Sequence, residues 1–146
     1  MSVKNLNPIA KVKLSVAQGV RKNSGVLQFR TKEHNLLTGD TLESVIEADV
    51  WLYDVDRAND WLVSKGVYQA SDIRASIPAL CLYDAYDMIS NAREWNMLFG
   101  GIDVTTDTVL WHGALLRIVK VEAQNFWNNH PASYRVSLRS TQPDVD

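Results

Sequence analysis

Thr108-Val-Leu-Trp-His-Gly-Ala-Leu-Leu-Arg-Ile-Val-Lys-Val-Glu122, followed after a loop by Tyr134-Arg-Val-Ser-Leu-Arg139, is the stretch that decides the fold. Val109–Trp111 reads as a short strand, His112-Gly113 as a tight turn and Ala114–Glu122 as a longer strand. Apolar residues fall on both faces of the longer strand, which predicts cover on both sides, inside a barrel or sandwich or against a neighbouring subunit. Phe126–Pro131 forms a polar loop carrying Asn-Asn-His-Pro. Tyr134, Val136 and Leu138 then alternate with Ser133, Arg135, Ser137 and Arg139, the pattern of a half-buried strand.

Working outward, Ile77–Tyr83 is apolar throughout and reads as a strand, with Pro78 favouring an edge position or a strand start. Met88, Ala92, Trp95 and Phe99 recur at helical spacing, so Asp84–Phe99 is expected to be a helix ended by Gly100-Gly101. A long loop is the alternative there, because Asp, Ser and two Asn residues weaken helix propensity. Val45–Val55 reads as a strand, and Asp56 caps an expected helix over Arg57–Lys65 that Gly66 closes. Thr31–Asp40 is a polar connection ending in Leu-Leu-Thr-Gly-Asp. Nearer the start, Lys11–Val16 places Val12, Leu14 and Val16 on one face of a strand. Val26–Arg30 is a second strand, with Arg-Lys-Asn-Ser-Gly at 21–25 as the turn between them. The expected fold is mainly β: a small β-barrel or sandwich with one or two short helices and an extended N-terminal hairpin or arm. Residues 1–146 form a single domain, with a basic arm at 1–32, a β-rich body at 41–140 and a frayed tail at 141–146.

Composition supports a globular domain. Hydrophobic residues make up 46% and charged residues 22% of the 146, ordinary values for a packed core. A chain of this size buries about 70% of its extended surface on folding. Cys81 is the only cysteine, which excludes an internal disulfide and a multi-cysteine zinc site and fits an intracellular origin. The start of the chain lacks an apolar signal region, and no stretch approaches the ~20 apolar residues of a membrane span. The expectation is a protein neither exported by a standard signal nor embedded in a membrane.

The net charge of −2 conceals an asymmetry. Lys4, Lys11, Lys13, Arg21, Lys22, Arg30 and Lys32 all precede the first acid, Glu33, leaving eight basic residues against all seventeen acids. A basic segment of this kind seeks an acidic counterpart, which can be nucleic acid, a neighbouring subunit or the chain's own acidic body.

Catalytic chemistry finds little to stand on. His34, His112 and His130 have no close sequence partners, and none forms the i, i+4 pair of a helical metal site. Cys81 lies among Ala79, Leu80, Leu82 and Tyr83, the surroundings of a core residue rather than an activated thiolate. Asp84 with Asp87, and Asp103 with Asp107, read as capping and turn residues before they read as acid–base pairs. No serine elbow, phosphate loop or dinucleotide fingerprint is present, so no catalytic residue, cofactor or metal is assigned. Trp111, Phe126 and Trp127 are the candidate interface residues: either they dock into a neighbour, or they fold back over the core.

The order strand, glycine turn, longer strand, loop and final strand over Thr108–Glu122 and Tyr134–Arg139 resembles the head-closure, or stopper, proteins of tailed bacteriophages, with support from Ile77–Tyr83. That resemblance covers about 40 residues. It implies a small β-domain in the virion neck, made in the host cytoplasm and assembled as a homo-oligomeric ring between the portal and adaptor and the tail. Such a ring closes the DNA-filled head and docks the tail without an active site or cofactor. The basic N-terminal segment departs from the pattern and leaves open an adaptor, collar or tail-terminator position, and contact with packaged DNA. A nucleic-acid-binding β-domain is the alternative reading, motivated by the basic segment and the aromatics.

Overall fold

The computed structural model describes residues 7–19, 24–34, 36–57 and 72–140. A two-residue reversal falls at His112-Gly113, where φ is +51° and +75°. Two successive left-handed residues make the primed turn whose twist matches a β-hairpin, and glycine takes the second position without strain. The expected turn is therefore found, and it joins β5 (Thr108–Trp111) to β6 (Ala114–Gln124). On one side β6 pairs with β7 (Ser133–Ser140), β7 with β4 (Ile73–Pro78) and β4 with β3 (Tyr53–Arg57). On the other, β5 pairs with β1 (Ser24–His34) and β1 with β2 (Thr41–Trp51). Among the described residues all pairings are antiparallel, and the order across the seven strands of the sheet is β2-β1-β5-β6-β7-β4-β3.

The two outermost strands, β2 and β3, are separated in the chain by Leu52 alone. A sheet whose opposite edges lie one residue apart must curl until those edges meet, and Leu52 is fully buried at the corner. No ladder joins β2 to β3, so the result is sandwich-like rather than a closed barrel. The mainly β expectation holds. The single strand expected over Val45–Val55 is instead two strands that sit at opposite edges of the sheet.

A bulge in β6 resolves its two-faced apolar pattern. Ile118 opposes Leu138 and Lys120 opposes Ser137, leaving Val119 as the extra residue. The extra residue shifts the parity, so Leu116 and Ile118 before it and Val121 after it all reach the core. Within the chain the cover is therefore on one face: Leu115 and Leu110, paired on the outer side, remain more than a third exposed.

Among the described residues, three short helices line the sheet. α1 spans Pro8–Gln18, where a strand was expected over Lys11–Val16. Local capping outweighed the two-residue alternation: Asn7 Oδ1 accepts the backbone N–H of Ile9, and Pro8 supplies a first-turn φ already suited to a helix. Ala10 and Ala17 are buried and Leu14 packs against the core. α2 (Ala79–Asp84) replaces most of the strand expected over Ile77–Tyr83. Pro78 ends β4, and Ala79, Cys81, Leu82 and Tyr83 are buried, so the run lacked the one-sided periodicity that separates helix from strand. α3 (Tyr86–Ala92) is the helical part of Asp84–Phe99; the chain turns extended at Arg93. Its buried residue is Ile89, whereas Met88 and Phe99 of the expected stripe are exposed. Asp56 and Arg57, the expected cap and first residue of the Arg57–Lys65 helix, belong instead to β3, paired with Arg74 and Ile73 of β4; the rest of that expected helix, most of the 21–25 turn and the tail at 141–146 lie outside the described residues.

The core joins Leu27, Phe29 and Val50 from one half of the sheet to Ile77, Ile118, Tyr134, Val136 and Leu138 from the other, with Leu82, Tyr83 and Ile89 beneath. The Tyr134 hydroxyl donates to the Met97 carbonyl at 2.6 Å, which ties the 94–101 loop to this core.

Candidate functional site

The β1–β2 ladder runs without interruption from Ser24 opposite Trp51 to His34 opposite Thr41. β5, however, covers β1 only from Gly25 to Gln28. Past Gln28 the sheet is therefore a two-stranded ribbon reaching roughly 20 Å, at 3.3 Å or so per residue. Thr41–Val45 are exposed whichever face they point to. Leu36 and Leu37 in the connecting turn are 89% and 97% exposed, and Leu42 and Val45 join them. Two-stranded ribbons are marginal in water, and one tipped with bare leucine gains nothing from burial in the free chain.

A buried ion pair clamps the ribbon at its base. The Asp107 carboxylate has no exposed surface and binds the Arg93 guanidinium at both oxygens. It also accepts the backbone N–H groups of Arg30, at 3.0 Å, and Asp103, at 2.8 Å. Arg93 in turn donates to the Arg30 carbonyl at 2.7 Å. Arg30 itself reaches Thr108 Oγ1, Gln28 Oε1 and Glu43. Charged hydrogen bonds on both backbone groups of one residue fix where the ribbon leaves the sheet.

A second exposed apolar region forms around α1. Asn7 Nδ2 donates to the carbonyls of Asn125, at 2.6 Å, and His130, at 2.9 Å, tying the start of the helix to the 125–131 loop. In that loop Trp127 and His130 exchange backbone hydrogen bonds of 2.9 and 3.0 Å across Asn128-Asn129, both left-handed. The turn displays Phe126 and Trp127, each about half exposed, at the end of α1 that carries Ile9. Val12 and Val16 continue the exposed apolar residues along the helix.

These positions sort the expected interface residues. Phe126 and Trp127 are surface groups joined to α1, whereas Trp111 is half-buried, packed on the core, with its ring 4.2 Å from that of His112. The seven basic residues do not form an extended arm over the described positions: Lys11 and Lys13 lie on α1, Arg30 at the ribbon base and Lys32 in β1. Lys13 sits over the Tyr53 ring, 5.8 Å from its centre. Lys4, Arg21 and Lys22 lie outside the described residues. The features that the sequence reading missed are Leu36, Leu37 and the Arg93–Asp107 clamp.

The groups tested for chemistry have structural surroundings. Burial pushes the Cys81 thiol up to about 12. Asp103 accepts the hydroxyl and the N–H of Thr105, which hold its carboxyl below the usual range, and Asp107 is committed to Arg93. Among the described residues no three His, Cys, Asp or Glu side chains gather as a metal site. On the outer face of the sheet, Arg74 and Arg135 share Asp56, Arg139 holds both oxygens of Asp72, and Lys120 pairs with Glu122. The positive charge of that face is largely answered within the chain. No protein-family model, curated protein or solved structure matches the sequence or the fold.

Proposed function

We propose that the protein is a structural component of the bacteriophage neck, assembling as a ring between portal or adaptor and tail to close the head and dock the tail. The observation that carries this reading is the clamped ribbon with Leu36 and Leu37 at its tip. Exposed leucines on a defined projection are an unrewarded cost in a free monomer and a docking element in an assembly. The sequence resemblance of Thr108–Glu122 and Tyr134–Arg139 to stopper proteins supports a position in the virion neck. The reading also relocates the assembly arm, from residues 1–32 to the β1–β2 ribbon.

Incubation with purified portal–adaptor particles tests the proposal. Co-sedimentation in ring stoichiometry, lost in Leu36→Asp/Leu37→Asp, is the expected result. A chain that never binds connector particles of its own virus would refute the neck assignment, and binding to tail tubes instead would move it to the tail-terminator layer. The nucleic-acid alternative, which rests on the basic N-terminal segment, has less support, because Arg30 is engaged by Glu43 and Lys13 sits over Tyr53. Tight, salt-sensitive binding to DNA by the free chain would revive it.

A further inference from the structure

We infer that the outer edge of β2 at Glu43 and Val45 takes on an extended strand from another protein of the neck, held by main-chain hydrogen bonds. The inference rests on the reading of the ribbon as an assembly element and names how it grips its partner. Two contacts fix which way the ribbon's backbone points. Arg30 turns its N–H and C=O away from β2, to Asp107 and Arg93. The Ser44 carbonyl faces β1, where it accepts the Thr31 hydroxyl at 3.4 Å. Backbone groups alternate sides along a strand, and directly opposed residues of an antiparallel pair point at each other or away together. Arg30 opposes Val45 and Lys32 opposes Glu43, so Val45 and Glu43 present their N–H and C=O outward while Ser44 bonds to β1. Among the described residues no strand lies along that edge.

The sheet's other edges are blunted. β3, at the far side, has five residues, a register break between Tyr53 and Asp56, and a left-handed Asp54 whose carbonyl accepts from Arg135 at 2.6 Å. Short length and irregularity are what keep an edge from pairing. The edge of β1 that β5 leaves uncovered passes Arg30, whose backbone groups are taken by the clamp. The inner end of β2, from Glu47 to Trp51, shares a cleft with Leu14 of α1 and Cys81 of α2. Glu43–Val45 has none of this protection: its register is unbroken, it contains no proline and its residues are exposed. Outward N–H and C=O groups two residues apart match one kind of occupant, another extended backbone. Two β2 edges paired with each other would make a two-fold dimer and not a ring, and β3 has no regular edge to offer. The donor strand therefore belongs to a different protein.

The test places proline, which has no N–H, at outward positions of the full chain and measures co-sedimentation with purified portal–adaptor particles and with tail tubes. Glu43→Pro and Val45→Pro delete only outward donors and are expected to lower binding about tenfold or more, with urea unfolding unchanged. Glu43→Gln and Val45→Ala keep the N–H and are expected to bind as the native chain does. Residue-resolved amide exchange on the native chain gives a second reading that needs no proline. The Glu43 and Val45 amides, fast in the free chain, are expected to become protected in the complex. Proline variants that fold and bind normally, or Glu43 and Val45 amides that stay fast in the bound chain, would overturn the inference and leave the neck assignment standing. Equal loss of binding in Val45→Ala and Val45→Pro, without protection of those amides, would also overturn it, in favour of docking through side chains. Self-association of the free chain, abolished by the same prolines, would give the edge to a second copy and overturn the choice of partner. A native chain that binds neither particle would sink the neck assignment and the inference with it.

Discussion

Two regions of one sheet differ in what holds them. In β7, Tyr134, Val136 and Leu138 are fully buried on the core side, and Ser133 and Ser137 are buried on the other, with Arg135 and Arg139 bound to acids nearby. In the distal part of β1 and β2 the backbone ladder is just as regular, yet Thr41–Val45 are exposed on both faces. Hydrogen bonds specify the geometry of both regions, but only β7 has burial to stabilise it. A segment kept regular without burial, and clamped at its root by Arg93 and Asp107, is shaped for a contact outside the chain.

That contrast can be broken most severely at the clamp. Asp107→Ala leaves the Arg93 guanidinium and two backbone N–H groups without their acceptor and is expected to cost about 3–5 kcal/mol in urea unfolding. Leu138→Ala, in the fully buried strand, is expected to cost about 2–5 kcal/mol by the cavity it leaves. Leu36→Asp/Leu37→Asp, by contrast, should shift stability by no more than about 0.5 kcal/mol per site while abolishing assembly. Loss of several kcal/mol there would mean that the leucines serve the monomer. The smallest effect is the pH dependence from Asp103. Its folded pKa is depressed, so its contribution is present above the ordinary carboxylate range and is lost as pH falls through the folded value. Asp103→Asn should slightly flatten the acid limb of a stability profile, discounted because the group is exposed.

The sequence made the C-terminal strands legible because each signal there is local: a two-residue turn at His112-Gly113, and the alternation of Tyr134, Val136 and Leu138. Elsewhere the local signal competed with tertiary burial. The alternation of Lys11–Val16 suggested a strand, and the stronger information was Asn7-Pro8, a cap followed by a helix-starting proline. The apolar run at Ile77–Tyr83 hid a helix because residues buried on all sides carry no period. Phe126 and Trp127 were found by the cost of aromatics in a polar loop, although their link to α1 through Asn7 spans more than a hundred residues and leaves no trace in spacing. Thr31–His34, expected as part of the Thr31–Asp40 connection, is the end of β1; strand patterns presuppose a buried face, and the facing residues Thr41–Ser44 are exposed, whereas Leu36-Leu37 do lie in the connecting turn. Two adjacent leucines before Thr-Gly-Asp, between two candidate strands, were the available signal.

Amide hydrogen exchange on the free chain and on the chain bound to connector particles tests the central claim most directly. Amides paired between Thr31–His34 and Thr41–Ser44 are expected to exchange much faster than those between β6 and β7 in the free chain, and to become protected on assembly while β6–β7 is unchanged. Ribbon amides as slow as those of β6–β7 in the free chain, or unaltered by assembly, would contradict it.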